Sequence, residues 1–236
     1  MVDVGETDWR CEAQAYPYLD ECRERTVYHW HDAAWRPVAR YGSALVKLVP
    51  SDWGPPTFEI DGIKMLPTSQ VSPYEDARRK VALIAPARKR VLDTCGGLGY
   101  FAAWCLAEDA ASVLSFEKNA DVLWLRAINP WSPAADPRLE LVHADVTDRI
   151  DALHDASFDV VLHDPPRFGT AGDLYAGKFY GQLQRVLRRR GQLFHYTGTP
   201  NRLTSGRDVP AEVARRLAVH GFQVRTVGDG VLATRR

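Results

Sequence analysis

The segment that decides the fold reads Val91-Leu92-Asp93-Thr94-Cys95-Gly96-Gly97-Leu98-Gly99-Tyr100-Phe101. An apolar strand here ends in a carboxylate and runs into three glycines that open a helix. Because glycine has no Cβ, the backbone of such a turn can pass close to a ligand. Taken alone, the pattern is typical either of a dinucleotide-binding turn or of a simple tight turn between a strand and a helix.

Strands and helices alternate on both sides of this turn. Upstream, Ser72 can cap a helix whose first position is Pro73. The pattern predicts strands at 90–94, 112–117, 139–143, 158–163 and 192–196, helices at 98–107, 120–128, 147–153, 174–188 and 210–220, and a closing hairpin of 222–227 with 231–234. This alternation predicts an α/β fold with a mostly parallel sheet, covered on both faces, that binds ligands at the carboxyl ends of its strands.

The N-terminal part of the chain has a different pattern. Residues 1 to about 40 are rich in aromatic and charged side chains without a clean period, and we predict one or two helices there. Short β-like runs at 44–49 and 58–65 are separated by prolines and glycine, which predicts a β-hairpin. The sequence therefore predicts two domains, an N-terminal cap at 1–71 and a ligand-binding catalytic domain at 72–236.

Acidic residues end four of the predicted strands: Asp93, Glu117, Asp145 and Asp164. A carboxylate after the second strand can accept hydrogen bonds from both hydroxyls of a ribose, and one after the third can accept from an adenine amino group. This spaced set resembles the class I S-adenosylmethionine (SAM)-dependent methyltransferase superfamily, over roughly residues 72–236, and disfavours a nicotinamide cofactor. The resemblance implies a Rossmann-like fold with a seven-stranded, mostly parallel sheet.

The same resemblance implies how SAM is bound. SAM would lie over the glycine turn, with Glu117 on the ribose and Asp145 with Val146 at the adenine. The cofactor-binding residues expected on this basis are Asp93, Gly96, Gly97, Gly99, Glu117, Lys118, Asp145, Val146 and Asp164.

A second resemblance extends upstream of this fold. The run Asp61-Gly62-Ile63-Lys64-Met65-Leu66-Pro67-Thr68, followed by Tyr74 and Asp76, is similar to a segment of the polyamine (spermidine) synthases. The strand that ends at Asp164 is similar to the stretch in which those enzymes carry their catalytic acid. The sequence also resembles an uncharacterised group of prokaryotic methyltransferases that share the run His-Asp-Pro-Pro-Arg-Phe.

Two departures from the polyamine synthase pattern bear on the substrate. Those enzymes carry an acid inside the glycine turn, which suits decarboxylated SAM, whereas Leu98 stands here. They also carry a second acid three residues after the catalytic one, to hold a cationic amine, whereas Arg167 stands here. A guanidinium suits a carboxylate, which it can bind through two hydrogen bonds. The departures therefore favour SAM with its carboxylate intact.

Three reactions are open to SAM in such a pocket: transfer of the methyl group, transfer of the aminocarboxypropyl or aminopropyl chain, and cyclisation. In the cyclisation the α-amine attacks the γ-carbon and forms azetidine-2-carboxylate and methylthioadenosine without an acceptor. We rank cyclisation first, because both acceptor-holding acids are replaced, and the sequence resembles bacterial azetidine-2-carboxylate synthases in this shared framework.

Each step of this reaction suggests candidate residues. Asp164 is the candidate general base for the amine proton. The candidates for anchoring the SAM carboxylate are Asn129, Tyr175 and Arg167, and the candidates for contact with the sulfonium are Tyr74, Trp30 and Trp35. Each also has a structural interpretation, such as a turn for Asn129 and packing for Tyr175.

The main alternative is a methyltransferase acting on a small molecule or on a nucleic-acid base amine. A run of Asp-Pro-Pro followed by an aromatic residue is similar to the base amino-methyltransferases, although Arg167 intervenes before Phe168. A third alternative is a binding protein that has kept the fold and lost the chemistry. That alternative predicts a damaged glycine turn, and the turn is intact.

Composition limits the partners. The chain has 236 residues, 45% of them hydrophobic, and its 30 basic residues balance 30 acidic ones. This excludes a disordered chain and disfavours a dedicated nucleic-acid binder. No apolar run approaches the roughly 20 residues that span a bilayer, and residues 1–10 are charged, so we expect a cytoplasmic protein.

We therefore expect a small-molecule substrate, either SAM itself or an amine acceptor, with no membrane and no nucleic acid as partner. A homodimer stays open. His29 and His31 have no third ligand at a suitable spacing, and we predict no metal.

Overall fold

The computed structural model describes residues 2–166, 171–198 and 208–236. The chain forms two compact units, residues 1–72 and residues 73–236. Among the described residues, no helix is both long enough and apolar enough to cross a membrane.

The N-terminal unit consists of short antiparallel strands. They are β1 (Val2–Val4), β2 (Asp8–Cys11), β3 (Gln14–Pro17), β4 (Tyr28–His31), β5 (Ala34–Pro37), β6 (Ala39–Tyr41), β7 (Leu45–Val49), β8 (Thr57–Ile60) and β9 (Ile63–Lys64). Strands β1 to β3 form one sheet, β4 and β5 form a hairpin, and β6 to β9 form a four-stranded sheet. The β-hairpin predicted from the runs at 44–49 and 58–65 is confirmed.

The helices predicted in residues 1 to about 40 are wrong, and aromatic pairing explains why. Trp9 lies directly opposite Tyr16 across β2 and β3, and their rings stack with centroids 4.2 Å apart. Trp30 lies opposite Trp35 across β4 and β5, with centroids 5.2 Å apart. Aromatic side chains favour strands because cross-strand neighbours pack against each other. Such pairs form only after the hairpin closes, so a search for helical periodicity does not find them.

The C-terminal unit alternates strands and helices. Its helices are α1 (Pro73–Ala82), α2 (Tyr100–Ala107), α3 (Ala120–Ile128), α4 (Val146–Arg149), α5 (Gly177–Val186) and α6 (Val209–Val219), with 3-10 turns at Ile150–Ala152 and Gly172–Tyr175. Its strands are β10 (Arg90–Asp93), β11 (Ser112–Glu117), β12 (Leu139–His143), β13 (Phe158–His163), β14 (Leu187–Tyr196), β15 (Phe222–Val227) and β16 (Gly230–Arg235).

These strands form one seven-stranded sheet in the order β12-β11-β10-β13-β14-β16-β15. Strands β10 to β14 pair in parallel, and β16 runs antiparallel to β14 and β15. The predicted α/β fold with a mostly parallel sheet is confirmed. The strand order reverses between β10 and β13, and in such sheets the carboxyl ends of the two strands at the reversal flank the ligand crevice.

One boundary differs from the prediction in a way that has a physical cause. We predicted a helix at 174–188 and a strand from 192, whereas α5 ends at Val186 and β14 begins at Leu187. Leu187 pairs with Phe158 of β13, and the register then shifts so that Gln192 pairs with Val160. The apolar residues of α5 continue into Leu187, so the helical pattern runs on in the sequence while the pairing with β13 starts the strand.

Candidate functional site

The glycine turn after β10 leaves no room for side chains. A Cβ on Gly96 would lie 2.5 Å from Ser115 Oγ, and a Cβ on Gly99 would lie 2.6 Å from Cζ of Arg126. Gly99 also has φ of +81°, in the left-handed region that other residues rarely adopt. Gly96 N donates a hydrogen bond of 2.7 Å to the carbonyl of Phe116. The turn therefore lies tightly against β11 and requires glycine for steric reasons.

Glu117 joins the end of β11 to this turn. Its Oε2 accepts a hydrogen bond of 2.9 Å from Gly97 N, and its Oε1 accepts one of 2.8 Å from Asn119 N. Burial raises the pKa of Glu117, and these backbone hydrogen bonds lower it in part. Each carboxylate oxygen can accept a second hydrogen bond. Glu117 therefore has a fixed orientation and retains capacity to accept from a diol.

Asp93 lies beneath the turn. It is 1% exposed, and Oδ2 accepts a hydrogen bond of 2.8 Å from Ser115 Oγ. Burial raises the pKa of Asp93 to about 6, against the effect of the Ser115 hydrogen bond and the charge of Arg126. Arg126, itself buried, lies against the glycine turn and contacts Ser115. In this structure Asp93 and Arg126 hold the turn against β11.

Asp145 follows β12 and caps α4. Oδ1 accepts hydrogen bonds from Thr147 N at 2.9 Å and from Thr147 Oγ1 at 2.8 Å, and Lys118 Nζ lies 3.3 Å from Oδ2. Partial burial opposes ionisation, but the Thr147 hydrogen bonds and Lys118 lower the pKa of Asp145 overall. Val146 is buried at the start of α4. The strand order places Asp145, Glu117, Asp93 and Asp164 along one edge of the sheet.

Asp164 follows β13 and binds a lysine. Lys80 Nζ of α1 lies 3.3 Å from Asp164 Oδ2 and 2.8 Å from Asp76 Oδ2. Burial raises the pKa of Asp164. The positive charge of Lys80 lowers this pKa in part, and the negative charge of Asp76 raises it. Burial disfavours the charged form of Lys80, but the two carboxylates outweigh it and raise the Lys80 pKa. Asp164 is therefore a mostly buried carboxylate that is paired with the ammonium of Lys80.

The backbone around Asp164 is held by its neighbours. Nε2 of His163 lies 3.0 Å from the carbonyl of Leu174, and because a carbonyl can only accept, Nε2 carries the proton and donates. Nδ1 of the neutral ring therefore accepts from Thr94 Oγ1 at 2.7 Å. Tyr175 is 1% exposed, and its hydroxyl donates to the carbonyl of Pro166 at 3.2 Å. Tyr175 thus fixes the backbone carbonyl of Pro166, two residues after Asp164.

Asn129, a predicted carboxylate anchor, is buried at the end of α3. Its Nδ2 donates to Tyr100 Oη at 3.1 Å and to Ser132 Oγ at 3.0 Å, and its Oδ1 accepts from Trp131 N at 3.3 Å. Leu98, where polyamine synthases carry an acid, is 1% exposed. The side chains at both positions are directed into the protein in this structure.

The aromatic candidates lie in different places. Tyr74 packs against Tyr100 and Trp104, with ring centroids 5.3 Å and 4.9 Å away, and lines a cavity of about 340 Å³ formed with α2 and residues 130–136. Trp30 and Trp35 belong to the cross-strand pairs of the N-terminal unit. Arg167 lies outside the described residues.

Sequence reasoning missed Lys80. It lies four residues after Asp76, a spacing that brings two side chains together on a helix, and this was the available signal. The contact with Asp164, 84 residues away, has no signature in the sequence. Among residues 2–166, 171–198 and 208–236, no cluster of three His, Cys, Asp or Glu side chains is arranged to hold a metal.

The comparisons with known proteins agree with this architecture. A spermidine synthase in complex with the transition state analogue AdoDATO has a TM-score of 0.69 at 17% identity, and the match covers 90% of this chain and 80% of that chain. The spermidine synthase of Thermotoga maritima has a TM-score of 0.65 at 18% identity, covering 96% of this chain and 82% of that one. At such identities these similarities show the fold alone.

Closer similarity comes from sequence. An uncharacterised protein of Methanocaldococcus jannaschii is 40% identical over 217 residues, which are 90% of this chain and 74% of that protein. Residues 81–200, which include the glycine turn and Asp164, match the family described as methyltransferase small domain. The chain therefore belongs to the methyltransferase small domain family and has the Rossmann-like fold of SAM-dependent methyltransferases.

Proposed function

We propose that residues 73–236 bind SAM at the carboxyl ends of β10 to β13 and catalyse transfer of its methyl group to a small-molecule nucleophile. The observation that carries the proposal is Asp164, a carboxylate with only 16% of its side chain exposed, which lies at the point where the strand order reverses and whose pKa is raised by desolvation. Membership in a methyltransferase family favours methyl transfer over cyclisation, which the sequence alone ranked first.

The residues at this edge fit SAM. Gly96 and Gly99 let the turn pack closely against Ser115 and Arg126, where a Cβ would clash, and the backbone of this turn is the proposed contact surface for SAM. Glu117 can accept from ribose hydroxyls through its remaining lone pairs, and Asp145 can accept from the adenine amino group through Oδ2. Lys118 and Val146 flank these acids. When bound, SAM supplies a carbon activated by its sulfonium charge.

Asp164 is the proton acceptor in this proposal. A neutral nucleophile that gains a methyl group must lose a proton, and a carboxylate within hydrogen-bond reach accelerates that transfer by roughly 10²–10⁴-fold. Burial weakens the hydration of Asp164 and raises its pKa, which makes it a stronger base. The hydrogen bonds of His163 and Tyr175 hold the backbone on either side of this carboxylate.

Cyclisation of SAM is the second candidate, and one observation favours it. Asp76 and Asp164 already bind Lys80 Nζ, so the pair has no place for the ammonium group of a separate amine acceptor. Cyclisation needs no such acceptor. In that reaction Asp164 would accept the proton of the SAM α-amine. Aminopropyl transfer to a polyamine is disfavoured by the same observation.

Product analysis separates the candidates. The purified protein is incubated with SAM alone and with a panel of small amines, phenols and carboxylic acids, and products are identified by mass spectrometry. S-adenosylhomocysteine that forms only with an acceptor supports methyl transfer. Methylthioadenosine with azetidine-2-carboxylate in the absence of any acceptor contradicts it and supports cyclisation, whereas methylthioadenosine formed only with an added amine indicates chain transfer.

Asp164→Asn tests the proton acceptor. We expect SAM affinity to change by less than about threefold, while turnover falls at least about 100-fold, in line with loss of a general base. Asp173→Asn, at an exposed position of the 3-10 turn Gly172–Tyr175, is the matched control and should keep full turnover. Turnover of Asp164→Asn within about fivefold of the parent would remove Asp164 from the mechanism.

A further inference from the structure

The ammonium of Lys80 is enclosed on several sides. Asp76 Oδ2 lies 2.8 Å away and Asp164 Oδ2 lies 3.3 Å away. The ring centroid of Tyr196, at the end of β14, lies 3.7 Å from Nζ, and that of Phe101 lies 5.7 Å away. The Lys80 side chain is 7% exposed. We call these four residues, Asp76, Asp164, Tyr196 and Phe101, the ammonium cage.

The chemistry of the cage matches a primary ammonium. Such a group has three N–H donors, and here it meets two carboxylate oxygens and the face of a tyrosine ring. Carboxylates bind ammonium through charge-assisted hydrogen bonds, and aromatic faces attract cations through their quadrupole. Without a cation, two carboxylates would share a buried site, which is unfavourable. The cage therefore requires one positive charge, and the chain supplies it.

We infer that the ammonium cage is a binding site for a primary alkylammonium that Lys80 occupies from within, so that Lys80 excludes cationic amines from the pair Asp76 and Asp164. The extension to substrate choice rests on the proposed function. The acceptor that reaches Asp164 is a nucleophile without an ammonium group at the reacting end. The cage itself depends only on the contacts of Lys80.

Truncation of Lys80 with chemical rescue tests the cage. Lys80→Ala removes the Cγ, Cδ, Cε and Nζ atoms, which together have the shape of n-propylammonium. We expect about 50 mM n-propylammonium chloride to raise the melting temperature of Lys80→Ala by about 3–5 °C, since a ligand that binds the folded state stabilises it. Equal concentrations of n-propanol and of sodium chloride should have no comparable effect. If Lys80→Ala is unfolded in buffer, the recovery of its folded circular dichroism spectrum on addition of n-propylammonium replaces the melting temperature as the readout.

Two control variants separate charge from volume. Lys80→Met fills the space without the charge, so n-propylammonium should leave its melting temperature unchanged. Lys178→Ala removes an exposed lysine of α5 and should respond like the parent protein. Equal responses of Lys80→Ala, Lys80→Met and the parent to n-propylammonium would overturn the cage.

A second readout distinguishes this inference from the proposed function. Turnover of Lys80→Ala with SAM and its acceptor should fall and then recover at least about tenfold with n-propylammonium, because the charge beside Asp164 is restored. Thermal rescue in a protein that shows no turnover with any acceptor would support the cage and contradict the methyl transfer. Turnover of the parent with no rescue of Lys80→Ala in either assay would contradict the cage alone.

Discussion

Two halves of the proposed ligand-binding edge are built differently. The glycine side consists of residues 96–99, Glu117 and Asp145, and its carboxylates accept hydrogen bonds from backbone amides and from Thr147. The aspartate side is the ammonium cage with Lys80, where two carboxylates bind one side-chain cation. Amide donors leave a carboxylate with its negative charge and spare lone pairs, whereas Lys80 offsets one of the two negative charges and fills the space between the two carboxylates. The glycine side is therefore ready for a hydroxyl-bearing ligand, and the aspartate side is closed to a cation.

The partners on the two sides also differ in their separation along the chain. On the glycine side, Gly97 and Glu117 are 20 residues apart, and Asp145 and Thr147 are two apart. On the aspartate side, Lys80 and Asp164 are 84 apart. Contacts within one strand-turn-helix unit or between adjacent units follow from local pattern. The contact between Lys80 of α1 and Asp164 after β13 forms only when these distant parts of the chain come together in the tertiary structure.

The largest expected effect concerns the glycine turn. Gly99→Ala places a Cβ 2.6 Å from Cζ of Arg126 at a φ of +81°, so the turn must move. We expect SAM affinity, measured by calorimetry, to fall at least about 100-fold, because a displaced turn loses its hydrogen bonds to the ligand together. Gly172→Ala is the matched control, since a Cβ there meets no atom of the described residues within 4 Å. Equal SAM affinity in both variants would show that the glycine side does not hold the ligand.

Glu117→Gln should have an intermediate effect. The amide keeps the shape but replaces one acceptor oxygen with a donor, which conflicts with Gly97 N or with Asn119 N. Hydrogen bonds to charged groups contribute about 1.5–3 kcal/mol, so we expect a loss of SAM affinity of about 10-fold to 100-fold. Glu140→Gln, exposed on β12, should bind SAM like the parent. An unchanged affinity for Glu117→Gln would place the ribose elsewhere.

Substitution of His163 should have the smallest effect on ligand binding. It should instead change how the free energy of unfolding depends on pH. Burial lowers the pKa of His163 to about 4, below its ordinary value of 6.5. The unfolded chain therefore binds a proton more readily than the folded chain, and the free energy of unfolding falls as the pH drops from about 6.5 toward 4. By this linkage, His163 accounts for about 3 kcal/mol of the loss between pH 7.5 and pH 4.

Urea unfolding at a series of pH values measures this loss. His163→Gln should be less stable than the parent at pH 7.5 but should lose less stability on acidification, whereas the exposed His154→Gln should follow the parent throughout. SAM affinity at pH 7.5 should change less than in either variant of the glycine side. Parallel curves for His163→Gln and the parent would show that His163 is not held neutral in the folded state.

The sequence predicted the glycine side in detail because its signals are local. The strands 112–117, 139–143 and 158–163 and the helix 120–128 were predicted with the bounds that the structure shows. The N-terminal part, whose aromatic residues show no clean period, was wrongly predicted to be helical, because the aromatic pairs that decide its structure act across strands. The early start of β14 was missed for a related reason, since it depends on the pairing of Leu187 with Phe158.

The sequence by itself determined the α/β alternation, the glycine turn and the acids at the strand ends, because steric exclusion, capping and hydrophobic periodicity operate over a few residues. Tertiary structure alone decided which charged side chains of the aspartate side pair with each other. Lys80 is an ordinary helical lysine in the sequence, and its position between Asp76 and Asp164 arises only in the folded protein, where it contacts the residue that follows β13. The free energy of a buried charged group depends on the groups that surround it, and these groups come from distant parts of the chain.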